Sequence, residues 1–183
     1  EAILFAANKT LNLEALFNLL LEDLQVSRAD IKSALNELIS DYQLKGINLV
    51  ELASGYRFQT KAEYSQWVNL LWEEKPQKYS RALLETLALI AYRQPITRGD
   101  IEEVRGVAVS SNIMKTLQER SWVKVVGHRD VPGRPAMYAT TKQFLDYFSL
   151  KSLEQLPSLA EIRDIDLISK EVSAQLELMD EPE

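Results

Sequence analysis

The 183-residue chain contains one segment twice, and this repeat limits the available folds more than any other feature. Residues 3–16 and residues 88–101, about 85 positions later, share one order of residue types. Each passes from an apolar helix end through a polar turn to one aliphatic residue, a helix-capping residue and an apolar residue four positions on. The equivalent pairs are Leu11 and Ile96, Asn12 and Thr97, and Leu16 and Ile101. A period this long excludes a solenoid and predicts two copies of one small domain.

In each copy the predicted elements run helix, helix, helix, strand, strand. In the second copy, apolar spacing predicts a first helix over residues 80–92, which Pro95 ends. Thr97, followed three positions later by Asp100, has the pattern of a capping box and opens the second helix. Gly106 then supplies the turn to the third helix.

The third helix and a β-hairpin complete the second copy. Ser110 or Ser111 caps the helix. Its predicted buried stripe is Ile113, Met114 and Leu117. Residues 122–126 and 136–140 are predicted strands, separated by a loop over 127–135 that glycine and proline punctuate.

The first copy follows the same order, and the two together define the fold class. Ser27 and Asp30 open its third helix, and residues 47–52 pair with residues 56–60 across a tight turn. A helix-turn-helix followed by a β-hairpin is a winged helix. We therefore predict a mostly helical α+β protein with two tandem winged-helix domains, joined with almost no flexible linker, and a C-terminal helical tail. The expected ranges are residues 1–76, 79–148 and 149–183.

Charge is distributed unevenly along a chain whose net charge is −6. Residues 79–148 carry ten basic and seven acidic side chains, whereas residues 1–76 carry seven basic and eleven acidic ones. Residues 149–183 are strongly acidic. This balance argues against phosphate-backbone binding by the whole molecule.

The ends and the apolar runs of the chain bear on its location. The chain begins at Glu1 without a Met and inside an apolar-rich segment, so we expect native residues upstream. We recognise no signal peptide and no apolar run of about 18 residues, and there is no Cys. We expect a cytoplasmic protein without a membrane partner.

No residue pattern points to catalysis, a cofactor or a metal. His128 is the only histidine, and no Cys or second His can join it at a metal. Glu102 and Glu103 lie early in a helix, where carboxylates favour the helix dipole. The six glycines form no phosphate-binding loop. We therefore expect no enzyme.

The second copy closely resembles the ScpB family of segregation and condensation proteins. The resemblance rests on residues 84–107 (LETLALIAYRQPITRGDIEEVRGV), on DVPGRP at residues 130–135, and on the aromatic-rich run 144–148. It is strong over residues 79–157 and rests on pattern and order over residues 1–76. It departs from the family after Val107, where members tend to have a polar residue.

The resemblance implies a homodimer of winged-helix chains that binds the kleisin ScpA and, through it, an SMC ATPase. Such a complex condenses and segregates chromosomes during the cell cycle. The chain would then be a non-enzymatic, nucleoid-associated adaptor in chromosome partition and cell division.

Two sets of residues are candidates for contact with partners. On the second copy these are Arg129, Asp130 and Arg134 at the predicted wing. Two prolines and a glycine make this loop a stiff turn, so the loop is either a contact site or purely structural. Arg105 either binds the partner or caps helix carbonyls, and we favour the cap. On the first copy the apolar excess of the second helix predicts a dimer contact. Its expected members are Leu16, Phe17, Leu20 and Leu24.

The alternative function is a winged-helix transcriptional regulator that binds DNA. The predicted recognition helix offers Asn112, Lys115, Gln118 and Arg120 against Glu119, fewer cations than groove-reading helices carry. We expect DNA binding to be weak and non-specific. The tail beyond residue 159 has amphipathic spacing; it is either a docking helix or packs on its own domain.

Overall fold

A computed structural model describes residues 1–7, 9–24, 26–71 and 79–158. The chain divides into one unit over Glu1–Lys151 and a second over Ser152–Glu183. In the second unit the described residues are 152–158, which contain a 3-10 helix at Leu153–Gln155. The predicted amphipathic tail therefore lies almost entirely outside the described residues.

The first half has three helices, a hairpin and a short helical segment, as the repeat predicts. The elements are α1 (Ala2–Ala6), α2 (Leu13–Leu24), α3 (Arg28–Asp41), β1 (Ile47–Leu52), β2 (Gly55–Thr60) and α4 (Ser65–Val68), with 3-10 helices at Ala62–Tyr64 and Asn69–Leu71. Strands β1 and β2 pair antiparallel across the two residues 53 and 54. The fold class is thus α+β, built from winged helices.

Local capping starts α2 and α3 where the sequence predicts. The side chain of Asn12 accepts a 2.7 Å hydrogen bond from the amide of Ala15. Ser27 and Asp30 form a reciprocal capping box, in which each side chain accepts from the other residue's amide. These bonds satisfy amide donors that the helix itself leaves free.

A close backbone approach joins the start of α2 to the hairpin. Leu11 and Tyr56 exchange two backbone hydrogen bonds of 3.0 and 2.8 Å. Gly55 lies beside them with a φ of 137°, which side-chain-bearing residues rarely adopt. The apolar core of this half packs around this point and consists of Leu4, Leu11, Leu16, Ile31, Leu35 and Leu49.

The second half repeats the architecture with one additional strand. Its elements are α5 (Arg81–Arg93), β3 (Ile96–Thr97), α6 (Arg98–Arg105), α7 (Ser111–Glu119), β4 (Val123–His128), β5 (Ala136–Thr140) and α8 (Lys142–Tyr147). Two predicted caps are confirmed, since Thr97 and Asp100 form a capping box and Ser110 caps α7. Ser80, predicted as the first residue of α5, is its N-cap instead. Gly106 ends α6 with a left-handed φ of 69°.

The sheet of this half differs from the predicted hairpin in two ways. Ile96 and Thr97 form a short strand that pairs with β5, so the strand order is β3-β5-β4. The predicted loop boundary at Gly127 is wrong, because pairing continues to His128 opposite Ala136. A β-bulge between Val125 and Gly127 absorbs one extra residue and lets the ladder resume.

The hairpin of the first half contacts the end of α8. The amides of Ala53 and Ser54 donate to the carbonyl of Leu150 and the carboxylate of Asp146, at 3.2 and 3.1 Å. Lys151 pairs with Glu51 at 2.7 Å. The turn that closes the first hairpin thus has its free amides satisfied by the second half.

We predict that Gly55→Ala destabilises the protein by about 3 kcal/mol, because a Cβ at this position meets backbone at 2.4–2.5 Å and the φ is unfavourable. Urea unfolding of the full chain measures the change. The matched control is Gly99→Ala in α6, where the nearest atom to a Cβ lies at 3.8 Å. A Gly55→Ala protein as stable as the control would contradict the packing described for this turn.

Candidate partner-binding surface

The wing of the second half is anchored by one bidentate ion pair. Two nitrogens of Arg129 donate to the two carboxylate oxygens of Asp100 at 2.9 and 2.6 Å. Asp100 also accepts a 3.0 Å hydrogen bond from the amide of Thr97. Arg129 and the Thr97 amide together lower the pKa of Asp100 from 3.8 to about 2, since both stabilise the carboxylate. One side chain therefore both caps α6 and holds the wing.

Arg129, a predicted partner contact, is thus engaged within the chain, with 42% of its side chain exposed. Its guanidinium is turned back onto α6, and its amide donates to the Pro135 carbonyl at 2.9 Å, closing the base of the loop. Gly133 and Arg134 adopt left-handed φ angles of 83° and 38°, which tighten the tip. Asp130 and Arg134 are exposed at the tip, and their role in partner contact stays a prediction.

The side chain of Arg105 lies mostly buried between α5 and α6 and does not cap a helix carbonyl. Its side chain is 10% exposed and donates to Glu85 at 3.1 Å and to Thr86 at 3.3 Å. Its Nε is buried and has no hydrogen-bond partner. The end of α6 is closed instead by the Gly106 amide, which donates to the Glu102 carbonyl. The preferred interpretation of Arg105 as a carbonyl cap is therefore wrong, because Glu85 offers its guanidinium a full negative charge.

Three exposed aliphatic residues lie within two positions of Arg105 or Glu85 in the chain, and we call them the Val107 patch. They are Leu84 on α5, Val104 on α6 and Val107 in the turn after α6, with exposures of 42%, 45% and 56%. The Arg105–Glu85 ion pair joins the two segments that carry them. All three lie inside the segment that resembles the family, and none is at a buried position.

The cations near the recognition helix α7 are mostly engaged within the chain. Arg98 pairs with Glu102 at 3.0 Å and also donates to Ser111. Lys115 lies 3.6 Å from Glu119. Glu102 in turn accepts from the Val109 amide at 2.9 Å, and this bond, followed by Arg98, lowers its pKa. Glu102 thus stabilises the turn between α6 and α7, which is a structural role.

Over the described ranges 1–7, 9–24, 26–71 and 79–158, no group of three or more acidic, histidine or cysteine side chains is arranged to hold a metal. His128 is exposed at the end of β4, where we had expected a loop. Within the same part of the chain, no helix is long and apolar enough to cross a membrane.

The residues predicted for a dimer contact on α2 are only partly available. Leu16 is 4% exposed and belongs to the core of its own chain, which corrects its assignment to a contact surface. Phe17 is half-buried with the guanidinium of Arg28 3.9 Å from its ring centre, and Leu20 is half-buried. The side chain of Leu24 lies outside the described part of the molecule. Amphipathic spacing alone did not separate the core face of α2 from its outer face.

Comparison with known proteins identifies the family. The model of the segregation and condensation complex subunit ScpB matches residues 1–159. The segregation and condensation protein B homolog of Coxiella burnetii is 56% identical over 179 residues, which cover 98% of this chain and 86% of the relative. The chain belongs to the ScpB family.

Other members are more distant but cover nearly as much of the chain. Segregation and condensation protein B of Syntrophotalea carbinolica is 44% identical, over 90% of this chain and 82% of its own length. The crystal structure of ScpB from Mycobacterium tuberculosis is 32% identical with a TM-score of 0.38, covering 81% of this chain and 91% of that one. The ScpB match includes both winged helices, the wing and the Val107 patch.

We predict that Asp100→Asn costs about 1–2 kcal/mol of stability near neutral pH, because asparagine can still accept from Thr97 but cannot pair with Arg129. Asp100 has a lowered pKa in the folded state, so its contribution is present above pH 3.8 and is lost as the pH falls toward about 2.

Urea unfolding of wild type and variant near pH 7, 4 and 2.5 measures this difference. It is expected to shrink at the lowest pH. Asp130→Asn, at an exposed residue of the same loop, is the matched control and should show no such trend. A gap between wild type and Asp100→Asn that stays constant with pH would show that the charge is not the cause.

Proposed function

We propose that this chain is a non-enzymatic adaptor subunit of a bacterial SMC–kleisin complex. In this proposal it binds the kleisin ScpA directly, reaches the SMC ATPase only through the kleisin, and supports chromosome condensation and segregation at the nucleoid. Membership of the ScpB family, with relatives named as segregation and condensation proteins, supports this role.

The observation that carries the proposal is the chemistry of the Val107 patch. Protein–protein contacts combine exposed apolar side chains with a rigid surround that excludes water. Here three exposed aliphatic residues lie within two positions of Arg105 or Glu85 in the chain, and the bonds of Arg105 to Glu85 and Thr86 hold α5 and α6 together. Because its guanidinium is already bound within the chain, Arg105 acts as a positioning residue in this proposal and the patch makes the contact.

The proposal assigns a task to each part of the chain. Residues 79–148 bind the kleisin, with the patch as the main contact and Asp130 and Arg134 of the wing as further contacts. Residues 1–76 form the homodimer, and residues 149–183 remain an acidic tail of unassigned contact. Dimerisation and kleisin binding are thus assigned to different halves of the chain, and neither task needs a catalytic centre.

DNA-binding regulation remains the alternative, and one observation favours some DNA contact. Lys124 and Arg134 are exposed on the wing and make no ion pair within the described residues. These two wing cations cannot by themselves supply the phosphate contacts of a groove reader, and Arg98, Lys115 and Arg129 pair internally. We therefore expect at most weak, sequence-indifferent DNA binding.

We predict different salt dependences for the two ligands. Affinity for a ScpA fragment should fall less than about threefold between low and physiological salt, because the contact is mainly apolar. Duplex DNA binding should decline steeply, by roughly 0.9 in log K per log salt for each phosphate contact. Labelled fragment and labelled duplex, each titrated at both salt concentrations, measure this. Nanomolar, sequence-dependent DNA binding at physiological salt would refute the adaptor function.

We predict that Val107→Glu weakens binding of the ScpA fragment at least tenfold, about 1.4 kcal/mol, because it places a charge in an apolar contact. Arg134→Ala tests the wing separately and avoids the stability loss expected for variants of Arg129. Leu19→Glu, at a 57% exposed position on α2, is the control and should bind normally. Unchanged affinity in Val107→Glu with loss in Arg134→Ala would move the contact from the patch to the wing.

A further inference from the structure

Strand β4 lies at an open edge of the three-stranded sheet in the second half. The strand order is β3-β5-β4, so β5 pairs with one side of β4. Among the residues that the structure describes, no strand pairs with the other side. The backbone groups on such an edge can bind an extended segment of another chain, which then adds a strand to the sheet.

The register of the hairpin shows which backbone groups face the open edge. The Thr141 amide donates to the Trp122 carbonyl at 3.1 Å, so the backbone of Trp122 faces β5. The direction alternates along an antiparallel pair. Lys124 therefore faces β5 opposite Ala139, whereas the next residue, Val125, faces away from β5. The amide and carbonyl of Val125 are thus directed to a strand added at this edge.

Both faces of β4 are in water at this point. Val125 and Val126 are 44% and 46% exposed, and Lys124 before them is exposed as well. Because side chains alternate between the two faces of a strand, three consecutive exposed residues mean that neither face is covered. A strand added beside Val125 would meet the Lys124 side chain on one face and the Val125 side chain on the other.

The charges around this edge favour an acidic partner. Lys124 is the one charged residue of β4, and Arg134 is exposed in the wing loop. Arg129 is already paired with Asp100. Between residues 123 and 140, Lys124 and Arg134 therefore remain against a single acid, Asp130. An acidic residue placed opposite the Lys124 face would gain a cross-strand charge pair.

A second copy of this chain does not suit the same edge. Two copies paired about Val125 would place their Lys124 side chains as diagonal neighbours on one face, where like charges repel. The β-bulge between Val125 and Gly127 also interrupts the edge, as in strands that avoid pairing with copies of themselves. The edge therefore suits one short segment of another protein.

We propose that the β4 edge binds a short extended segment of a partner protein in which acidic and aliphatic side chains alternate. An aliphatic residue lies opposite Val125, and its acidic neighbours lie on the face of Lys124. Backbone hydrogen bonds supply affinity, and the alternation of side chains supplies specificity. The inference does not rest on kleisin binding, which we assign mainly to the Val107 patch.

The probe is a labelled peptide, Glu-Val-Glu-Val-Glu, capped at both ends and titrated with the full chain by fluorescence anisotropy. Wild type should bind it with a Kd below about 1 mM, a weak affinity because a short segment makes few contacts. A peptide with lysine in place of each glutamate should bind at least threefold more weakly. Absence of binding, or equal binding of the two peptides, overturns the proposal.

N-methylation of the peptide separates strand addition from simple charge attraction. In the proposed register the valine amides face β4 and the glutamate amides face away from it. Methylation of the valine amides should raise Kd at least tenfold, whereas methylation of the glutamate amides should change it less than threefold. Equal effects of the two methylations contradict strand addition in this register.

Val125→Pro removes the amide that faces the edge without removing a hydrogen bond to β5, and it should raise the Kd of the glutamate peptide at least tenfold. Val125→Thr is the matched control, because it keeps the amide and a β-branched side chain, and it should stay within threefold of wild type. A Val125→Pro protein that is folded by circular dichroism and binds like wild type refutes the edge site.

Lys124→Glu leaves the backbone intact, so it tests the same site even if the proline variant unfolds. It should reverse the preference, so that the lysine peptide binds more tightly than the glutamate peptide. A preference for the glutamate peptide that survives this change shows that Lys124 does not select the partner, and it overturns the assignment of an acidic segment to this edge.

Titration of a ScpA fragment in parallel separates this inference from the proposed function. Wild type that binds the glutamate peptide but not the fragment refutes the adaptor function and leaves the edge site standing. Wild type that binds the fragment but not the peptide refutes the edge site and leaves the adaptor function standing.

Discussion

The carboxylate of Asp100 is the interaction on which the second winged helix depends. It completes the capping box that starts α6 and receives both nitrogens of Arg129 at the base of the wing. Helix start and wing are distant in sequence, and this one charged group joins them. Because a bidentate, charge-assisted pair has a fixed geometry, it sets the direction of the loop that follows Arg129.

The use of cations inside the fold explains what its surface can bind. Arg98, Arg105 and Arg129 each pair with a carboxylate of the same half, so they hold helices and loops together. Part of the surface that remains is aliphatic, as at the Val107 patch. Apolar surfaces of this kind favour protein partners over nucleic acid. A helix-turn-helix fold is therefore compatible with an adaptor.

Features that depend on short-range contacts could be predicted well. The caps at Ser27, Thr97 and Ser110 were readable because a capping bond joins residues two or three apart. The end of β4 could not be predicted in this way. Glycine is common in loops, and Gly127 belongs to the strand only because it pairs with Met137. The roles of Arg105 and Leu16 were also missed. Spacing shows that a helix has two faces but not which neighbour covers each.

The duplicated architecture, the order of the helices and hairpins, and the family resemblance can be read from the amino-acid sequence, because they follow from periodicity, capping residues and motif strings within single segments. The short strand β3 cannot, since it exists only through pairing with β5. The tertiary structure alone decided which charges remain available to a partner and which apolar side chains reach the surface. Arg129 and Asp100 are 29 positions apart, and Arg105 and Glu85 are 20 apart. Pairing over such separations depends on how helices pack, and no local pattern encodes it.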